Sequence, residues 1–330
     1  MTPRVAVLGA GSWGTTVAAL TSRNAHTTLW ARDPGVAREV CEQRSNERYL
    51  PGWKLPPELH ATDSIEEAVR GADVLVMGVP CSGMRATLLE AKKFLNPGVP
   101  IVSLAKGLEE KTRLRMTQVI EEVISGHPAG VLTGPNLAHE IMAGFAATSV
   151  VAMGDPRIAC QLQDVFHTGL FRVYTNPDVV GCELGGALKN VIAIAAGMAD
   201  GLGVGDNTRA AVITRGLSEI TRIGVAMGAQ AATFAGLTGM GDLIATCVSP
   251  RSRNRHVGEQ LGRGRKTEDI LKEMRNVAEG VKSSRVVLEL GDRYGIELPI
   301  TRWVCRVLYD GHTAAEAYRG LRPRSEMESD

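Results

Sequence analysis

Short apolar runs separated by polar, helix-compatible stretches dominate the first half of the chain. Six of these runs predict β-strands, at residues 5–8, 27–30, 73–79, 100–104, 131–133 and 147–152. The run at 73–79 is almost uninterrupted and stops at Pro80, as expected of a strand that is buried on both faces. Strands that alternate with helical stretches predict a mostly parallel sheet, which binds its ligands at the carboxyl ends of the strands.

The pattern changes near residue 180, after which small and aliphatic residues recur at helical spacing. Helices are predicted at residues 183–197, 207–227, 240–247, 267–274, 281–294 and 299–308. The glycines and alanines of the first would let a neighbouring helix approach closely. The sequence therefore predicts an α/β, doubly wound domain of Rossmann type at residues 1–181, followed by an all-α domain at residues 182–330.

Two helix starts carry a capping signature. Ser64 is followed three residues later by Glu67, and Thr313 by Glu316. In this spacing each side chain can bond the backbone N–H of the other residue, so we expect a helix to begin after Ser64 and another after Thr313.

The first predicted strand ends abruptly in Gly9-x-Gly11-x-x-Gly14, and a helix-compatible segment follows. Gly9 would permit the tight turn, Gly11 would let the backbone approach a pyrophosphate, and Gly14 would let the helix pack closely on the strand. The N-terminus of the helix would present free N–H groups to the anion. This order of strand, turn and helix predicts a dinucleotide-binding site.

Length and composition restrict the classes of protein that fit. The 330 residues suffice for two domains, and a formal net charge of +1 offers no basic field for nucleic acid or an anionic membrane. No continuous apolar run reaches the roughly 18 residues of a membrane span, and a strand from about residue 4 leaves no room for a signal peptide. We expect a cytoplasmic protein that binds no nucleic acid and does not insert into a membrane.

Cysteines and histidines predict neither a disulfide framework nor a metal site. The six cysteines are scattered without a C-x-x-C pair, and the seven histidines show no spacing typical of metal ligands. We expect reduced thiols and no bound metal.

Two lysines stand where a charge needs an explanation. Lys106 follows the strand predicted at 100–104 and would face the ligand edge, unless it is a solvated loop lysine. Lys189 lies in a predicted helix among apolar and small neighbours, where partial desolvation would lower its pKa and suit proton transfer to a carbonyl. The alternatives are a snorkelling lysine and a structural ion pair with Glu183.

Two polar segments are candidates for the chemistry of the second domain. Asp242, in G-M-G-D-L, could be the N-cap of a helix or a catalytic residue. Residues 252–255, S-R-N-R, follow Pro250 and place an arginine beside an asparagine. Such a pair could clamp a phosphate group, although a solvated surface loop is the alternative.

Six motifs occur in one order along the chain: G-x-G-x-W-G-T, S-L-A-K-G, G-P-N-x-A-x-E, G-A-L-K-N-V-I-A-I-A-A-G, G-x-G-D-L and S-R-N-R. From about residue 4 to residue 308 the chain thereby resembles the bacterial NAD(P)-dependent sn-glycerol-3-phosphate dehydrogenases. The resemblance implies hydride transfer from NAD(P)H to dihydroxyacetone phosphate, which yields glycerol 3-phosphate for glycerophospholipid synthesis. It also implies a homodimer.

The resemblance assigns catalysis to Lys189 as proton donor and acceptor, to Asp242 as its orienting partner and to Lys106, which would touch both cofactor and substrate. The glycine-rich turn, the end of the second strand and the resemblance together predict the cofactor contacts. These are Gly9, Gly11, Ser12, Trp13, Gly14, Arg32, Lys106, Ala138, Arg253, Val277 and Glu279. The expected substrate contacts are Lys106, Gly134, Asn136, Lys189, Asp242, Ser252, Arg253 and Asn254. Asn136 stands where many relatives have Ser or Thr.

The end of the second strand bears on the choice of cofactor. An acidic residue there binds the ribose 2′-hydroxyl of NAD, whereas a cation accommodates the 2′-phosphate of NADP. The strand ends W-A-R-D, so Arg32 would take a 2′-phosphate and Asp33 could bind a hydroxyl. We expect NADP(H) to be accepted and NAD(H) also to be used.

Two other functions stay open. A β-hydroxyacid or phosphogluconate-type dehydrogenase shares the architecture and a lysine on the long helix, but S-R-N-R and G-M-G-D-L argue against it. A non-catalytic dinucleotide sensor would need the glycine-rich turn but not a lysine flanked by apolar residues.

Overall fold

The chain forms two compact units, Met1–Glu183 and Leu184–Asp330. The structure is a computed structural model and describes residues 2–274 and 278–319. The first unit contains the sheet, and the second is built from helices.

An eight-stranded sheet forms the middle of the first unit. Its strands are β1 (Arg4–Leu8), β2 (His26–Trp30), β3 (His60–Thr62), β4 (Val74–Met77), β5 (Ile101–Ser103), β6 (Ala129–Thr133), β7 (Ala147–Ala152) and β8 (Phe171–Asn176). They lie in the order β3-β2-β1-β4-β5-β6-β7-β8, and only β6 and β7 pair antiparallel. The predicted mostly parallel sheet is confirmed, and all six predicted strands are present.

The sequence pattern did not predict β3 and β8. β3 has only three residues, H-A-T, and therefore offers no apolar run. β8 is an edge strand that buries Phe171 and Val173 and exposes Arg172 and Tyr174. Because its polar positions interrupt the apolar ones, it lacks the continuous run that identified the central strands.

Helices cover both faces of the sheet. They are α1 (Ser12–Thr21), α2 (Pro34–Gln43), α3 (Ile65–Val69), α4 (Cys81–Ala91), α5 (Met116–Val123), α6 (Ala138–Met142) and α7 (Pro156–Phe166). Val5 and Val7 pack in one core with residues of α1, α2, α6 and α7, and Ala6 and Leu8 in another with residues of α3, α4 and α5. Successive residues of β1 thus face opposite cores, as the doubly wound prediction requires.

The two predicted capping signatures form differently. Thr313 and Glu316 make both reciprocal bonds, with Thr313 Oγ1 accepting from Glu316 N at 3.2 Å and Glu316 Oε2 from Thr313 N at 2.7 Å. Ser64 Oγ accepts from Glu67 N at 3.2 Å. The Glu67 carboxylate, however, accepts from Thr62 Oγ1 at 2.6 Å, because β3 ends beside it and offers that hydroxyl.

The described part of the second unit is helical. Its elements are α8 (Val179–Leu202), which begins in the first unit, α9 (Gly205–Ala226), α10 (Ala231–Phe234), a π-helix (Leu237–Gly241), α11 (Asp242–Val248), α12 (Arg253–Gly262), α13 (Thr267–Glu273), α14 (Glu279–Tyr294), α15 (Pro299–Tyr309) and α16 (Ala314–Arg319). Every predicted helix is present, and the all-α prediction is confirmed for these residues. The surface-loop alternative for S-R-N-R is wrong, because Ser252 caps α12 and the motif forms its first turn.

Within the residues that the structure describes, two segments are long and apolar enough to cross a membrane by length and composition alone, Val179–Leu202 and Ala231–Val248. Of the 18-residue apolar window in each segment, 83% is buried in the first and 44% in the second. The core helix of a globular protein meets the same criteria as a membrane span, and each segment carries a buried charge, Lys189 and Asp242. Length and hydropathy therefore give only weak evidence of membrane insertion.

A seam of glycines brings α8 and α12 into close contact. Gly197 and Gly201 on α8 and Gly258 and Gly262 on α12 are each spaced by four residues, so each pair lies on one helix face. A Cβ on Gly258 would lie 1.9 Å from Ile194 O, and one on Gly201 would lie 2.2 Å from the backbone of α12. The prediction that small residues of the long helix admit a close neighbour is confirmed.

Candidate active site

The glycine-rich turn joins the carboxyl end of β1 to the start of α1. Gly9 has φ = +124°, and a Cβ there would lie 2.6 Å from the backbone of Gly78, a residue that the sequence did not single out. A Cβ on Gly14 would lie 2.0 Å from Gly9 O. Apart from Gly11 itself and its two chain neighbours, no atom lies within 4 Å of the position that a Cβ on Gly11 would take. The turn is thus closed by backbone contacts on one side and open at Gly11, next to the N–H groups of the first turn of α1.

Two buried side-chain polar atoms of the described residues have no hydrogen-bond partner, Trp13 Nε1 and Thr133 Oγ1. Trp13 follows β1, and Thr133 ends β6, so both belong to the carboxyl end of the sheet, where doubly wound folds bind ligands. An unpaired buried donor is costly, and polar groups of a bound dinucleotide would relieve that cost. These atoms and the open turn at Gly11 fit NAD(P).

The Ser12 hydroxyl is already engaged, because it donates to the backbone oxygen of Tyr49. Ser12 therefore offers an anion its backbone N–H rather than its side chain. The Trp13 ring meets Phe171 edge-on, with ring centroids 6.2 Å apart, which fixes the indole beside the turn.

Arg32 and Asp33 follow β2 and differ in their surroundings. Arg32 is exposed. Asp33 caps α2 by accepting from Gly35 N at 2.9 Å, and it also forms an ion pair with Arg48 at 2.9 Å. Sequence reasoning missed Arg48, whose charge offsets part of that of Asp33.

Lys106 and Gly134, which follow β5 and β6, are brought together as a pair: Lys106 Nζ donates to Gly134 O at 2.8 Å. Gly134 has φ = +150°, and a Cβ there would lie 3.2 Å from Ser149 Cα. Asn136 braces this loop on β7, donating to Thr148 O at 2.8 Å and accepting from Ser149 Oγ at 2.9 Å. The Asn136 amide is therefore used within the protein, a role that Ser or Thr could not fill in the same way.

Lys189 lies buried in α8 and meets two oxygens of α11. Its Nζ is 2.5 Å from Asp242 Oδ1 and 2.5 Å from Thr246 Oγ1, and the side chains of Lys189 and Asp242 are 5% and 2% exposed. The Thr246 hydroxyl in turn donates to Asp242 O at 2.7 Å. Thr246 follows Asp242 by four residues on one helix face, a spacing that could have identified it in the sequence.

Both structural alternatives for Lys189 are wrong. It does not snorkel, because its ammonium is buried on Asp242. It does not pair with Glu183, because that carboxylate accepts from Arg115 Nη1 at 2.7 Å and from Thr117 at the start of α5.

The π-helix directly precedes Asp242 and leads into α11. Gly241 is the N-cap of α11 and Asp242 its first residue, without a side-chain capping bond, so the capping alternative for Asp242 is wrong. A Cβ on Gly185 would lie 2.5 Å from Thr238 O, which shows how closely α8 approaches the π-helix. Lys189 lies four residues after Gly185, as Asp242 does after Thr238, so the next turn of each helix carries one member of the pair.

The N-terminus of α12 presents cationic and polar groups. Ser252 Oγ caps the helix by accepting from Arg255 N at 3.2 Å, and the first intrahelical bond runs from His256 N to Ser252 O. The N–H groups of Arg253 and Asn254 precede that bond, and Arg253 is exposed. Backbone N–H groups, a helix dipole and a guanidinium together suit a phosphate.

The Asn254 side chain links three helices. Its Nδ2 donates to Oδ1 of Asn190 on α8 at 2.9 Å, and its Oδ1 accepts from Gly280 N on α14 at 3.0 Å. Because Asn190 is adjacent to Lys189 in sequence, this link ties the N-terminus of α12 to the lysine. Sequence reasoning missed Asn190.

The other predicted cofactor contacts lie at helix starts or outside the described residues. Ala138 and Glu279 are the first residues of α6 and α14, and both are half-buried. Val277 lies outside the described residues. Beside the lysine, burial raises the pKa of Cys247 to about 12, so this thiol stays neutral at physiological pH.

A doubly wound sheet with this glycine-rich turn, followed by a helical unit with a buried lysine–carboxylate pair, defines a dinucleotide-dependent oxidoreductase. Residues 4–159 match the family described as NAD-dependent glycerol-3-phosphate dehydrogenase N-terminus, and residues 178–319 match the C-terminus of the same family. The chain belongs to the NAD-dependent glycerol-3-phosphate dehydrogenase family.

Relatives and solved structures agree with this assignment. The chain is 59% identical to glycerol-3-phosphate dehydrogenase [NAD(P)+] 2 of Sphingopyxis alaskensis, covering 96% of each chain. It is 53% identical to glycerol-3-phosphate dehydrogenase [NAD(P)+] 1 of Mycobacterium bovis, covering 97% of this chain and 94% of the relative. The crystal structure of a glycerol-3-phosphate dehydrogenase from Coxiella burnetii is similar with a TM-score of 0.92 and 32% identity, covering 100% of this chain and 99% of the other.

Proposed function

We propose that this oxidoreductase reduces dihydroxyacetone phosphate to sn-glycerol 3-phosphate with NAD(P)H, and that Lys189 is its proton donor and acceptor. Family membership carries the reaction and the use of NAD(P). The buried contact between Lys189 and Asp242 carries the assignment of the proton. The product would feed glycerophospholipid synthesis.

The proton moves at a single atom of the chain. Lys189 Nζ gives a proton to the oxygen on C2 of dihydroxyacetone phosphate as negative charge develops there, and takes it back in the reverse direction. Asp242 Oδ1 and Thr246 Oγ1 hold the ammonium in place, and the charge of Asp242 offsets part of the cost of keeping an ammonium away from water. A fixed amine spares the reaction the entropy of orienting an acid from solution.

The substrate phosphate binds at the start of α12. Arg253 supplies a guanidinium, and the N–H groups of Arg253 and Asn254 supply donors at the positive end of the helix dipole. Ser252 contributes by capping the helix, and the link from Asn254 to Asn190 holds the phosphate site at a set distance from Lys189. Binding energy from the phosphate is thereby converted into orientation of the carbonyl.

The first domain, which we place at residues 1–181, holds the cofactor, and residues 182–330 form the substrate and catalytic domain. Gly9, Gly11, Gly14 and the backbone of Ser12 would hold the pyrophosphate. When bound, NAD(P)H supplies the hydride. Lys106 and the loop from Gly134 to Ala138 lie at the carboxyl end of the sheet, where they would bound the nicotinamide and the substrate.

NADP(H) is accepted and NAD(H) is also used, on this proposal. Arg32 is exposed at the end of β2, and Asp33 forms an ion pair with Arg48 and caps α2. An acid in that state repels a 2′-phosphate less than a solitary one would.

Membership of the glycerol-3-phosphate dehydrogenase family argues against the two other functions that the sequence left open. A non-catalytic sensor does not require a lysine buried on a carboxylate, and the closely similar relatives are dehydrogenases by name. A β-hydroxyacid or phosphogluconate-type dehydrogenase would act on a different substrate from the one in those names.

The experiment replaces Lys189 and follows NADPH oxidation with dihydroxyacetone phosphate. Lys189→Ala should lower kcat by about 10²–10⁴, the usual contribution of a general acid, while the Kd for NADPH stays within about twofold. Lys92→Ala is the matched control, because Lys92 also donates from Nζ, to Val123 O at 2.9 Å, but far from α8 in sequence. Near-wild-type turnover of a folded Lys189→Ala enzyme would reject the assignment.

We also propose, from the family resemblance, that the enzyme is a cytoplasmic homodimer that does not insert into membranes. Sedimentation of the purified protein at twice the chain mass, and recovery in the soluble fraction after lysis without detergent, are the expected results. A monomer at micromolar concentration, or recovery with the membrane pellet, would contradict the respective statement.

A further inference from the structure

A strap of chain, residues 44–55 between α2 and β3, lies against the glycine-rich turn. Asn46 lies within the strap and is fully buried, with 0% of its surface exposed. Its Nδ2 donates to Ala10 O at 3.0 Å and to Thr15 Oγ1 at 2.9 Å, and its Oδ1 accepts from Tyr49 N at 3.3 Å. One amide thus contacts the turn between Gly9 and Gly11 and the first turn of α1.

The strap is anchored independently of the turn. Leu50 N donates to Asn46 O at 2.7 Å, and Leu50 is fully buried in the core. Ser45 Oγ and Glu47 N bond to Glu39 Oε1 on α2, at 2.9 and 2.7 Å. A fixed strap can impose a conformation on the turn, whereas a mobile one could only follow it.

The peptide unit between Ala10 and Gly11 is the part of the turn most able to rotate, because glycines flank Ala10 on both sides. In a trans peptide the C=O and the following N–H point in opposite directions. A bond that draws Ala10 O toward Asn46 therefore turns Gly11 N–H away from the strap. Rotation of this peptide would instead turn a carbonyl oxygen toward the side on which the N–H points, where it would repel an anion.

We propose that Asn46 is a positioning residue for the dinucleotide: its amide holds the Ala10–Gly11 peptide and the start of α1 in the orientation that binds the pyrophosphate. The inference rests on cofactor binding at this turn, which is part of the proposed function. Because NADH and NADPH share the pyrophosphate, Asn46 acts equally on both and does not contribute to the choice between them.

The experiment compares two substitutions with two matched controls by titrating protein fluorescence with NADH and NADPH. Asn46→Asp keeps the shape of the side chain but replaces both N–H donors with an acceptor that faces Ala10 O. Thr15→Val keeps Asn46 and removes only one of its partners. Asn24→Asp is the control for the first, since Asn24 Nδ2 also donates to backbone oxygens, at 2.6 Å to His167 O.

Thr21→Val is the control for the second substitution. Thr21 is buried in α1 like Thr15, with 0% exposure for each, and its hydroxyl bonds with Thr27 at 3.1 Å, away from the turn. Each control makes the same chemical change in the same unit. Because Thr15 and Thr21 are equally buried, thermal unfolding of that pair calibrates the purely structural effect, whereas Asn24 is exposed and controls only for the added charge.

Asn46→Asp should raise the Kd of NADH and of NADPH by one common factor of about tenfold or more, and Thr15→Val by about two- to fivefold, the range expected for lost hydrogen bonds to the turn. At saturating cofactor, kcat and the KM for dihydroxyacetone phosphate should stay within about twofold. Thr21→Val should lower the unfolding temperature about as much as Thr15→Val, and Asn24→Asp should lower it less than Asn46→Asp because Asn24 is exposed. Both controls should leave both Kd values unchanged.

If Asn46→Asp folds yet binds both cofactors as the wild type does, the inference is overturned. The inference is also overturned if the Kd of NADH and the Kd of NADPH rise by different factors. Should Asn46→Asp not fold, Thr15→Val decides alone, and an unchanged Kd overturns the inference. Gly11→Val distinguishes failure of this inference from failure of the proposed cofactor site. If Gly11→Val also leaves the Kd unchanged, the turn does not bind the cofactor.

Discussion

At the scale of single residues, Gly11 and Gly14 of the glycine-rich turn have different roles. Gly14 is needed by the fold itself, because a Cβ there would lie 2.0 Å from Gly9 O. Gly11 has open space around the position of a Cβ, so the protein alone does not demand glycine there. Only a ligand that approaches the backbone would make a side chain at residue 11 harmful.

This contrast gives a paired prediction. Gly11→Ala should leave the free energy of unfolding within about 0.5 kcal/mol of the wild type, as a surface substitution does. It should raise the Kd for NADPH by about tenfold or more, which corresponds to about 1.4 kcal/mol of binding free energy. Gly14→Ala should destabilise the protein by about 1–3 kcal/mol through overpacking. Urea unfolding and cofactor titration measure the two effects, and tight NADPH binding by Gly11→Ala would contradict the proposed pyrophosphate site.

Arg253 is the other residue whose role can be isolated. Loss of a charge-assisted contact costs about 2–3 kcal/mol, so Arg253→Ala should lower kcat/KM for dihydroxyacetone phosphate about 30- to 150-fold. Inorganic phosphate should compete with the substrate in the wild type and much less in the variant. Arg251→Ala, an exposed arginine just before the helix cap, should change neither quantity, and equal inhibition of wild type and Arg253→Ala by phosphate would place the clamp elsewhere.

At the scale of elements, the packing of α8 on α12 sets the distance between Lys189 and the proposed phosphate site. Lys189 lies on α8 and Arg253 lies on α12, and the glycine seam lets the two backbones approach to within van der Waals distance. The seam therefore bears on the proposed active site, although none of its glycines is among the proposed substrate contacts.

Gly258→Ala tests the seam. Its Cβ would lie 1.9 Å from Ile194 O, so α12 must move, at a cost of about 1–3 kcal/mol in the free energy of unfolding. We expect the KM for dihydroxyacetone phosphate to rise as well. Gly83→Ala in α4 is the control, since the nearest atom to its Cβ would be 3.8 Å away; alanine there should be neutral or stabilise the helix by up to about 1 kcal/mol. A Gly258→Ala protein as stable as wild type would show that the seam is not tightly packed.

At the scale of the whole molecule, two carboxylates outside the proposed active site make the stability depend on pH. Glu219 on α9 is buried and accepts from Ile300 N at 2.6 Å and Thr301 N at 3.3 Å, at the start of α15. Burial raises its pKa above the ordinary 4.5, against the opposing effect of these backbone bonds. Glu67, in contrast, has a lowered pKa, chiefly because of its hydrogen bond from Thr62 and then that from His60.

The signs of the two contributions are opposite. A raised pKa in the folded state gives stability that is present below the unfolded pKa and is lost as the pH rises, whereas a lowered pKa gives stability that is lost as the pH falls. The difference in unfolding free energy between wild type and Glu219→Gln should fall as the pH rises above about 4.5, whereas that between wild type and Glu67→Gln should fall as the pH drops below about 4.5. Urea unfolding at several pH values measures both, and slopes of the same sign would contradict the assignment.

Much of the fold followed from local patterns, because strands, helices and caps depend on neighbours within a few residues. The run at residues 73–79 identified β4, and Thr313 with Glu316 identified the start of α16. The pattern failed for β3, which is too short to show a period, and for α12, where S-R-N-R looks equally like a loop. In that case the cap formed by Ser252 decided the outcome.

The sequence by itself determined the glycine-rich turn, the order of its strand and helix, and the presence of a lysine in an apolar helix, since each is a matter of spacing along the chain. Only the tertiary structure decided what those residues meet. Asp242 lies 53 residues from Lys189, Asn46 lies 36 residues from Ala10, and Asn254 lies 64 residues from Asn190. No local period links residues so far apart, because such contacts form only when whole helices pack and buried polar groups must find partners there.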